Sequence, residues 1–481
     1  MKKEVRLSLA YRDMWQSWGR YFPSAAQLKE VAPAIISMGC FDRVETNGGA
    51  FEQVCLLMGE NPNHAVREWT APFQQAGIQT MMLERGLSAL RMNPVPEDVR
   101  ELMFKVKKDQ GTDIARSFCG LNDHRNLQSS IEFAHKAGMI SQVALSISPA
   151  LSVGSYLSFA DKVVDYGCDE ICIKDMAGVG KPAFLAELIS SIKKQYPAVL
   201  VQYHTHGGPG FAPDSILEAA RAGVDYIDVA AEPLAWGKGH PEVAFVRNML
   251  VGDGFLVKDM DSDAYNGVKS LNQKYMTGFL DRGLQTADTL LSDSALLTGC
   301  NLPGGMIGSL MADLPDFLAA VNYALRSQSK PEISLDQLAR ELLEEIEHIW
   351  PLLGCPPLVT PFSQYVRNTA MMNLLHIYKG QPRWTTIDKD TWNMILGRMG
   401  SLPRPLAPEI IHLAEEKGLE FYQGNPQDLY PSELDRFRGQ MISNGWESGL
   451  DDEELLEFAM HERQYRMFKK QISARSEKLI Q

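Results

Sequence analysis

The sequence lacks the features of a membrane, secreted or nucleic-acid-binding protein. No uninterrupted apolar stretch approaches the roughly 18 residues that a membrane-spanning helix needs. The first ten residues hold two lysines and then further charged residues in place of an apolar signal core, so we expect a mature, soluble protein. The formal net charge of -13 is not offset by a basic stripe, which argues against nucleic acid or an anionic membrane as the main partner.

The sequence is also poor in cysteine. Seven cysteines, odd in number and widely scattered, provide no disulfide framework for a chain of 481 residues. We therefore expect a cytoplasmic protein. Because 45% of the residues are hydrophobic, the chain can bury a large core. At roughly 100 to 250 residues for each domain, it should divide into two or more.

Short β-branched runs alternate with longer amphipathic segments from residue 4 to about residue 232, which is typical of strand-helix units around a parallel sheet. Eight such units predict an α/β fold, the (β/α)8 or TIM barrel. A doubly wound open sheet is the alternative, but no Gly-x-Gly-x-x-Gly turn follows the first strand. The predicted strands are Val5–Asp13, Arg43–Asn47, Ile78–Arg85, Asp113–Cys119, Gln142–Ile147, Glu170–Asp175, Val199–His206 and Tyr226–Ala230.

Helical patterns replace the strand rhythm after about residue 300. Ser334-Leu-Asp-Gln337 is a capping box before an apolar run with helical spacing. We therefore predict a barrel domain over residues 1–300 and a mostly helical domain over residues 301–481 that completes the active site. The charged tail, residues 451–481, predicts a solvated terminal helix, with a docking element as the alternative.

Polar residues at the carboxyl ends of the predicted strands are candidates for chemistry, because such a barrel carries its active site there. His204 and His206 lie two apart on one strand, so both imidazoles face the same side, as metal ligands would. A hydrogen-bonded pair of strand-end histidines is the alternative. Asp13 closes the first predicted strand, where it offers a hard oxygen ligand or else caps a helix.

Three further polar side chains belong to the same end of the barrel. Lys174 ends an apolar strand, where a buried ammonium is costly unless it pairs with a carboxylate such as Asp175. Arg116 offers a bidentate fork to a substrate carboxylate, with a structural salt bridge as the alternative, and Gln16 offers an amide. These residues indicate a site for an anionic substrate.

Motifs in one consistent order run along nearly the whole chain. They are Arg12-Asp-Met-Trp-Gln-Ser17, Gly120-Leu-Asn-Asp123, Arg125-Asn-Leu127, Ile171-Cys-Ile-Lys-Asp-Met-Ala-Gly178, His204-Thr-His206, Leu302-Pro-Gly-Gly-Met306 and Pro356-Pro-Leu-Val-Thr-Pro-Phe-Ser-Gln364. Together they resemble the biotin-dependent carboxyltransferase family. That family includes the oxaloacetate decarboxylase α subunit, the carboxyltransferase domain of pyruvate carboxylase and the non-biotin carboxyltransferase subunit of transcarboxylase.

The resemblance implies a divalent metal held by Asp13, His204, His206 and a Lys174 that is carboxylated on its amine. The carbamate removes the problem of a buried ammonium and, with the aspartate, balances a 2+ ion before substrate arrives. The metal would polarise the 2-oxo oxygen and stabilise an enolate. Zinc suits these ligands best, and manganese or cobalt would also fit.

The resemblance also implies roles for Arg116 and Gln16 against a small 2-oxo acid such as oxaloacetate or pyruvate. Thr360 would pass a proton between biotin and the enol in a dry site, with a helix cap as its alternative role. No Ala-Met-Lys-Met string for attaching biotin occurs, so we expect biotin on a separate carrier protein. A membrane decarboxylase subunit or a biotin carboxylase are further implied partners, and a homodimer is usual for the family.

Several residues depart from the family pattern. Met14-Trp15 stands where the family usually has Ala-His, Glu45-Thr-Asn-Gly-Gly49 replaces Glu-Met-Trp-Gly-Gly, Ala144 replaces a cysteine and Cys119 an aspartate. We therefore expect the reaction class to be kept and the substrate selectivity to change, by roughly one to a few kcal/mol. Two other functions stay open: a biotin-independent carbon-carbon lyase of the acyl-CoA type, and a non-catalytic assembly subunit.

Overall fold

The computed structural model describes residues 3–19, 22–208, 210–280, 304–446, 449 and 451–480. Eight parallel strands pair in sequence order, and the last pairs with the first to close the barrel, so the predicted fold is confirmed. The strands are β1 Arg6–Leu9, β2 Phe41–Gly48, β3 Gln79–Glu84, β4 Ile114–Phe118, β5 Ile140–Ser146, β6 Glu170–Asp175, β7 Leu200–Thr205 and β8 Tyr226–Val229. The predicted first strand is too long, because the chain turns into a helix directly after Ala10.

Helices surround the barrel and bury an apolar stripe against it. In the helix between β6 and β7, Leu185, Leu188, Ile189 and Ile192 recur at helical spacing and are fully buried. These helices are α1 Tyr11–Trp18, α2 Ala25–Ser37, α3 Phe51–Met58, α4 Pro62–Gln75, α5 Glu97–Asp109, α6 Arg125–Lys136, α7 Val153–Asp165, α8 Pro182–Gln195, α9 Ala212–Ala222, α10 Val243–Gly252 and α11 Ser262–Leu280, with a 3-10 turn at Gly86–Ser88.

Polar side chains fill the inside of the barrel in layers. At the lower level Arg43 of β2 forms a bidentate ion pair with Glu170 of β6, at 2.8 and 2.6 Å. Gln202 of β7 accepts from Arg43 at 2.9 Å and donates to Asp228 of β8 at 2.5 Å. Because inward-facing residues alternate along a strand, His204 lies one pleat beyond Gln202, towards the carboxyl end. The layers thus connect the barrel floor to the site.

The chain after residue 303 is helical, as predicted. Ser334 caps one of its helices by accepting a hydrogen bond from the Gln337 amide at 3.1 Å. The predicted boundary after residue 300 lies outside the described residues, as do Leu302 and Pro303. The helices are α12 Gly304–Ser327, α13 Leu335–Leu352, α14 Phe362–Tyr378, α15 Lys389–Ile395, α16 Pro408–Glu416, α17 Leu434–Ser443, α18 Asp452–Met460 and α19 Glu462–Ile480, with a 3-10 turn at Pro426–Leu429.

The prediction of a solvated terminal helix is wrong. The tail forms α18 and α19, which pack on the barrel helices α5 and α3. Leu455, Leu456 and Phe458 are fully buried in one apolar cluster with Phe104 of α5. The acidic start of the tail has a local role, because the Asp451 carboxylate caps α18. The docking alternative is therefore the observed arrangement.

The helices and the cysteines of the described residues concern the predicted lack of a membrane span and of disulfides. Within the described ranges, each helix is too short or too polar to cross a bilayer. Cys40, Cys55, Cys119, Cys168, Cys172 and Cys355 are free thiols. The cytoplasmic location stays a prediction.

Candidate active site

Four buried side chains meet at the carboxyl end of the barrel: Asp13, His204, His206 and His240. Their potential ligand atoms all lie within 4.8 Å of one another. Asp13 Oδ2 is 3.3 Å from Nε2 of His204, 3.5 Å from that of His206 and 3.4 Å from that of His240. The sequence pattern predicted that Asp13 ends a strand or caps a helix. Asp13 instead lies in the first turn of α1, whose N-cap is Ala10.

Each imidazole is held through its other nitrogen. Nδ1 of His206 lies 2.6 Å from the Lys238 carbonyl, and Nδ1 of His240 lies 2.8 Å from the Thr205 carbonyl. Since a carbonyl oxygen only accepts, both Nδ1 atoms carry a proton, and in the neutral imidazole each Nε2 atom then keeps a lone pair. His204 is held in the same manner by the Asp228 carboxylate, at 2.7 Å. Metal-binding histidines are commonly oriented in this way.

The electrostatics favour neutral imidazoles beside an ionised carboxylate. Burial lowers the pKa of His204 to about 3 and also lowers the pKa of His206. Burial alone would raise the pKa of Asp13, but the Arg12 charge holds it well below its usual value. Arg12 lies 3.4 Å from Asp13 Oδ1 and donates to Glu45 at 2.8 Å. The cluster therefore presents lone pairs suited to a divalent cation.

Lys174 lies beside this cluster. Its side chain is buried, and Nζ is 2.9 Å from His204 Nε2. Burial lowers the pKa of its amine. The expected ion pair with Asp175 is wrong, because Asp175 accepts from the amides of Val179 and Gly180 instead. No carboxylate of the described residues lies within ion-pair distance of Nζ.

Arg116 and Gln16 are both engaged within the protein. The Arg116 guanidinium donates to Asp228 at 2.6 Å and to Gln142 at 2.6 Å, which is the salt-bridge alternative. Its Nη2 is buried and has no hydrogen-bond partner among the described residues. Gln16 accepts through Oε1 from Arg12 and from the Ala50 amide. The substrate roles of both residues stay predictions.

The segment around Thr360 reaches the barrel mouth from the helical region. Val359 packs in an apolar cluster with Phe118 of β4 and Cys172 of β6. Thr360 follows and lines a small cleft together with Arg85, which comes directly after β3. The predicted capping role is not observed, because α14 begins at Phe362 without a side-chain cap.

Arg85 is a cation that lines this cleft, and the sequence motifs did not reveal it. It is 7% exposed, and burial lowers the pKa of its guanidinium to about 10. Its side chain donates a long hydrogen bond, 3.4 Å, to the Arg91 carbonyl. No carboxylate in the described part of the chain lies within ion-pair distance of it.

The rule that strand ends carry the site includes His240 and Arg85, but it does not distinguish them from the other polar residues of these loops. Arg85 follows β3 and His240 lies in the loop after β8, so both belong to the carboxyl ends of strands. The family departures lie in the same part of the barrel: Ala144 is in the apolar cluster with Val359, and the Cys119 thiol accepts from Asn126 at 3.3 Å.

A closed eight-stranded barrel with a buried carboxylate-imidazole cluster at its carboxyl end defines the chain as a TIM-barrel protein with a site of the metal-binding type. Two family models match it: "Conserved carboxylase domain" over residues 324–479 and "HMGL-like" over residues 122–242. The chain is a relative of the carboxyltransferase components of biotin-dependent enzymes, and the resemblance seen in the motifs is confirmed.

Two curated relatives and one solved structure illustrate this. A pyruvate carboxylase subunit of Methanocaldococcus jannaschii is 28% identical, over 94% of this chain and 75% of the relative. The methylmalonyl-CoA carboxyltransferase 5S subunit of Propionibacterium freudenreichii subsp. shermanii is 28% identical, over 87% of this chain and 78% of the relative. The carboxyl transferase domain of Rhizobium etli pyruvate carboxylase has been solved with pyruvate and biocytin, and it superposes with a TM-score of 0.82 at 20% identity. The superposition covers 97% of this chain and 77% of that domain's chain, and it supports the fold.

Proposed function

We propose that the protein is a carboxyltransferase that moves a carboxyl group between a small 2-oxo acid and biotin. The acid is oxaloacetate, pyruvate or a close analogue, and the biotin is carried by a domain outside these 481 residues. The observation that carries the proposal is the cluster of Asp13, His204 and His206 beside Lys174, with Thr360 brought to the same mouth of the barrel.

The residues of the cluster fit a divalent cation. Three imidazoles have their Nδ1 atoms tied to acceptors, and the Nε2 atom of His240 is buried without a hydrogen-bond partner among the described residues. Such an orphaned lone pair is costly unless an ion or another donor occupies the space it faces. A bound ion would supply Lewis-acid polarisation of the 2-oxo oxygen. Zinc is the first choice, with manganese or cobalt as alternatives.

Carboxylation of Lys174 remains part of the proposal. A neutral amine, and not an ammonium, reacts with carbon dioxide, and the buried Nζ has its pKa lowered. Nζ lies 2.9 Å from His204 Nε2, so a carbamate on this amine would stand beside the cluster, and the proton released on addition of carbon dioxide would pass to solvent.

Arg85 is the proposed anchor for the carboxylate of the acid. Arg116 is neutralised by Asp228, whereas Arg85 has no acidic partner at ion-pair distance in the described ranges. A guanidinium in a partly desolvated cleft binds a carboxylate bidentately and strongly. The predicted contact from Arg116 would come from its unpartnered Nη2. The small cleft selects a compact acid.

Thr360 is the proposed proton relay. When the methyl carbon of the 2-oxo acid gains a carboxyl group it loses a proton, and in the reverse direction it regains one. The Thr360 hydroxyl can accept this proton from one side and donate its own to the other. Val359 is 4% exposed and Phe362 3% exposed, so the hydroxyl is flanked by buried apolar side chains that limit water.

The match of residues 122–242 to the HMGL-like model favours one second candidate, a biotin-independent carbon-carbon lyase. The carboxylase match over residues 324–479 favours the carboxyltransferase, because it covers the helical region that supplies α14 and the tail. Homodimer formation, a biotin carboxylase or membrane decarboxylase partner and a cytoplasmic location are further predictions.

The experiment is decarboxylation of oxaloacetate by the metal-loaded protein, with and without free biotin. We expect pyruvate release that biotin stimulates, that Thr360→Ala slows by about 10² to 10⁴-fold and that the exposed Thr385→Ala leaves unchanged. Cleavage of an acyl-CoA substrate without any response to biotin would establish the lyase. A metal-loaded protein with neither activity would indicate an assembly subunit.

A further inference from the structure

His240 occupies a place in the cluster that the metal site predicted from the motifs does not include. That site consists of Asp13, His204, His206 and a carboxylated Lys174. The imidazole of His240 is fully buried, and its ring centroid lies 4.2 Å from that of His206 and 4.6 Å from that of His204. It is therefore as much a part of the cluster as the two histidines of β7.

The loop after β8 holds His240 in this position. The His240 carbonyl accepts from the Trp236 amide at 2.8 Å, and the Gly239 carbonyl accepts from the Gly207 amide at 2.8 Å. A Cβ on Gly239 would lie 2.1 Å from the Leu234 carbonyl, so this position requires glycine. The loop is thus fixed to the end of β7, next to His206.

The distances from Asp13 match those expected around one metal ion. Two ligands at about 2.0 to 2.1 Å from a tetrahedral zinc lie about 3.3 to 3.4 Å apart. Asp13 Oδ2 lies 3.3 to 3.5 Å from the Nε2 atoms of all three imidazoles, including His240. The three contacts are nearly equal, so His240 has the same relation to Asp13 as the two predicted ligands.

We propose that His240 is a metal ligand, and that Asp13, His204, His206 and His240 hold the ion whether or not Lys174 is carboxylated. The inference rests on the metal site of the proposed function, but it does not depend on which acid is carboxylated. While Lys174 is not carboxylated, Asp13 contributes one negative charge and the imidazoles none, so a 2+ ion leaves a net positive site that attracts an anionic acid. Ions that accept a fifth or sixth ligand keep a position for that acid.

The variants separate the two ligand sets. In His240→Asn the amide nitrogen can still donate to the Thr205 carbonyl, while the ligand atom is lost. Lys174→Met removes the amine but keeps a side chain of similar length. His461→Asn is the matched control, because His461 is also buried but lies between α18 and α19 and is not one of the four residues of the cluster.

The measurement is Co²⁺ and Zn²⁺ affinity of the purified full chain in solution freed of carbon dioxide, together with the visible spectrum of the Co²⁺ form. We expect His240→Asn to weaken binding by at least about 100-fold, since loss of an outer partner alone costs 10 to 100-fold. The Co²⁺ spectrum should change as well. Wild type, Lys174→Met and His461→Asn should agree within a few-fold.

The opposite pattern would overturn the inference. If wild type binds metal only after bicarbonate is added, or if Lys174→Met loses the metal while His240→Asn keeps both affinity and spectrum, then Lys174 and not His240 is the ligand. Biotin-stimulated decarboxylation would still stand in that case. Wild-type protein that binds neither ion under any condition would overturn the inference and the metal-dependent function together.

Discussion

Asp228 connects the barrel interior to the metal site, and replacing it with asparagine should disturb both. Its carboxylate accepts from Arg116 at 2.6 Å, from Gln202 at 2.5 Å and from His204 Nδ1 at 2.7 Å. Burial would raise its pKa, but Arg116 and His204 hold the pKa well below the usual value. Asparagine has nearly the same shape, yet it removes the charge and turns one acceptor oxygen into an amide donor.

The size of the effect follows from what is left unpaired. Asp228→Asn leaves the fully buried Arg116 guanidinium without its counter-charge, and breaking a buried ion pair in this way costs about 3 to 5 kcal/mol. His204 also loses the acceptor that orients its ring, which should weaken metal binding by about 10 to 100-fold. The two effects arise at one residue, but stability and affinity are measured separately.

Urea unfolding and a zinc titration of the folded protein test this prediction. Asp253→Asn is the matched control, because Asp253 pairs with Arg221 at 2.7 Å on the surface, where such pairs contribute little. We expect a lower urea midpoint and a weaker zinc affinity for Asp228→Asn alone. Unchanged zinc affinity would refute the role of Asp228 in orienting His204, and an unchanged midpoint would refute the argument from the unpaired guanidinium.

Three further predictions concern other parts of the molecule. Thr360→Ala should slow carboxyl transfer by about 10² to 10⁴-fold, as loss of a proton-transfer group does, whereas Thr360→Ser should keep most of the rate. Glu170→Gln should destabilise the barrel by about 3 to 5 kcal/mol because Arg43 loses its partner, with metal affinity unchanged in the same titration. Burial raises the pKa of Glu457 to about 8, so between pH 4.5 and 8 the folded chain keeps a proton that the unfolded chain has lost. The free energy of unfolding should therefore fall by up to about 1.4 kcal/mol per pH unit as the pH rises through this range. In urea titrations across this pH range, Glu457→Gln should remove this pH dependence, whereas the exposed Glu420→Gln should keep it. Identical pH profiles for wild type and Glu457→Gln would contradict the raised pKa of Glu457.

The barrel and the histidines of β7 were accessible from the sequence because they depend on local periodicity. His204 and His206 alternate on one strand, and that pattern specifies a shared face without knowledge of the rest of the fold. The end of β1 was not accessible in this way. Leu7, Leu9 and Tyr11 continue an alternating apolar pattern into what is the first turn of α1, so Asp13 was assigned to a strand.

Contacts between distant segments account for the residues that the sequence did not reveal. His240 is preceded by Gly-Lys-Gly and followed by proline, a loop composition without periodicity, and only the closed barrel brings it to Asp13. Arg85 becomes a candidate anion site because no carboxylate of the described residues lies within ion-pair distance of it, which is a property of the folded chain. The tail was judged by its charges, whereas Leu455 and Phe458 determine where it packs.

Exchange of isotopic label between pyruvate and oxaloacetate is the most direct test of the proposed carboxyl transfer to biotin. Metal-loaded protein would be incubated with oxaloacetate and isotopically labelled pyruvate, with and without free biotin, and the label appearing in oxaloacetate would be followed. We expect exchange that requires both the metal and biotin and that is strongly slowed in Thr360→Ala. Exchange that proceeds equally well without biotin, or no exchange by a protein with its metal bound, would contradict it.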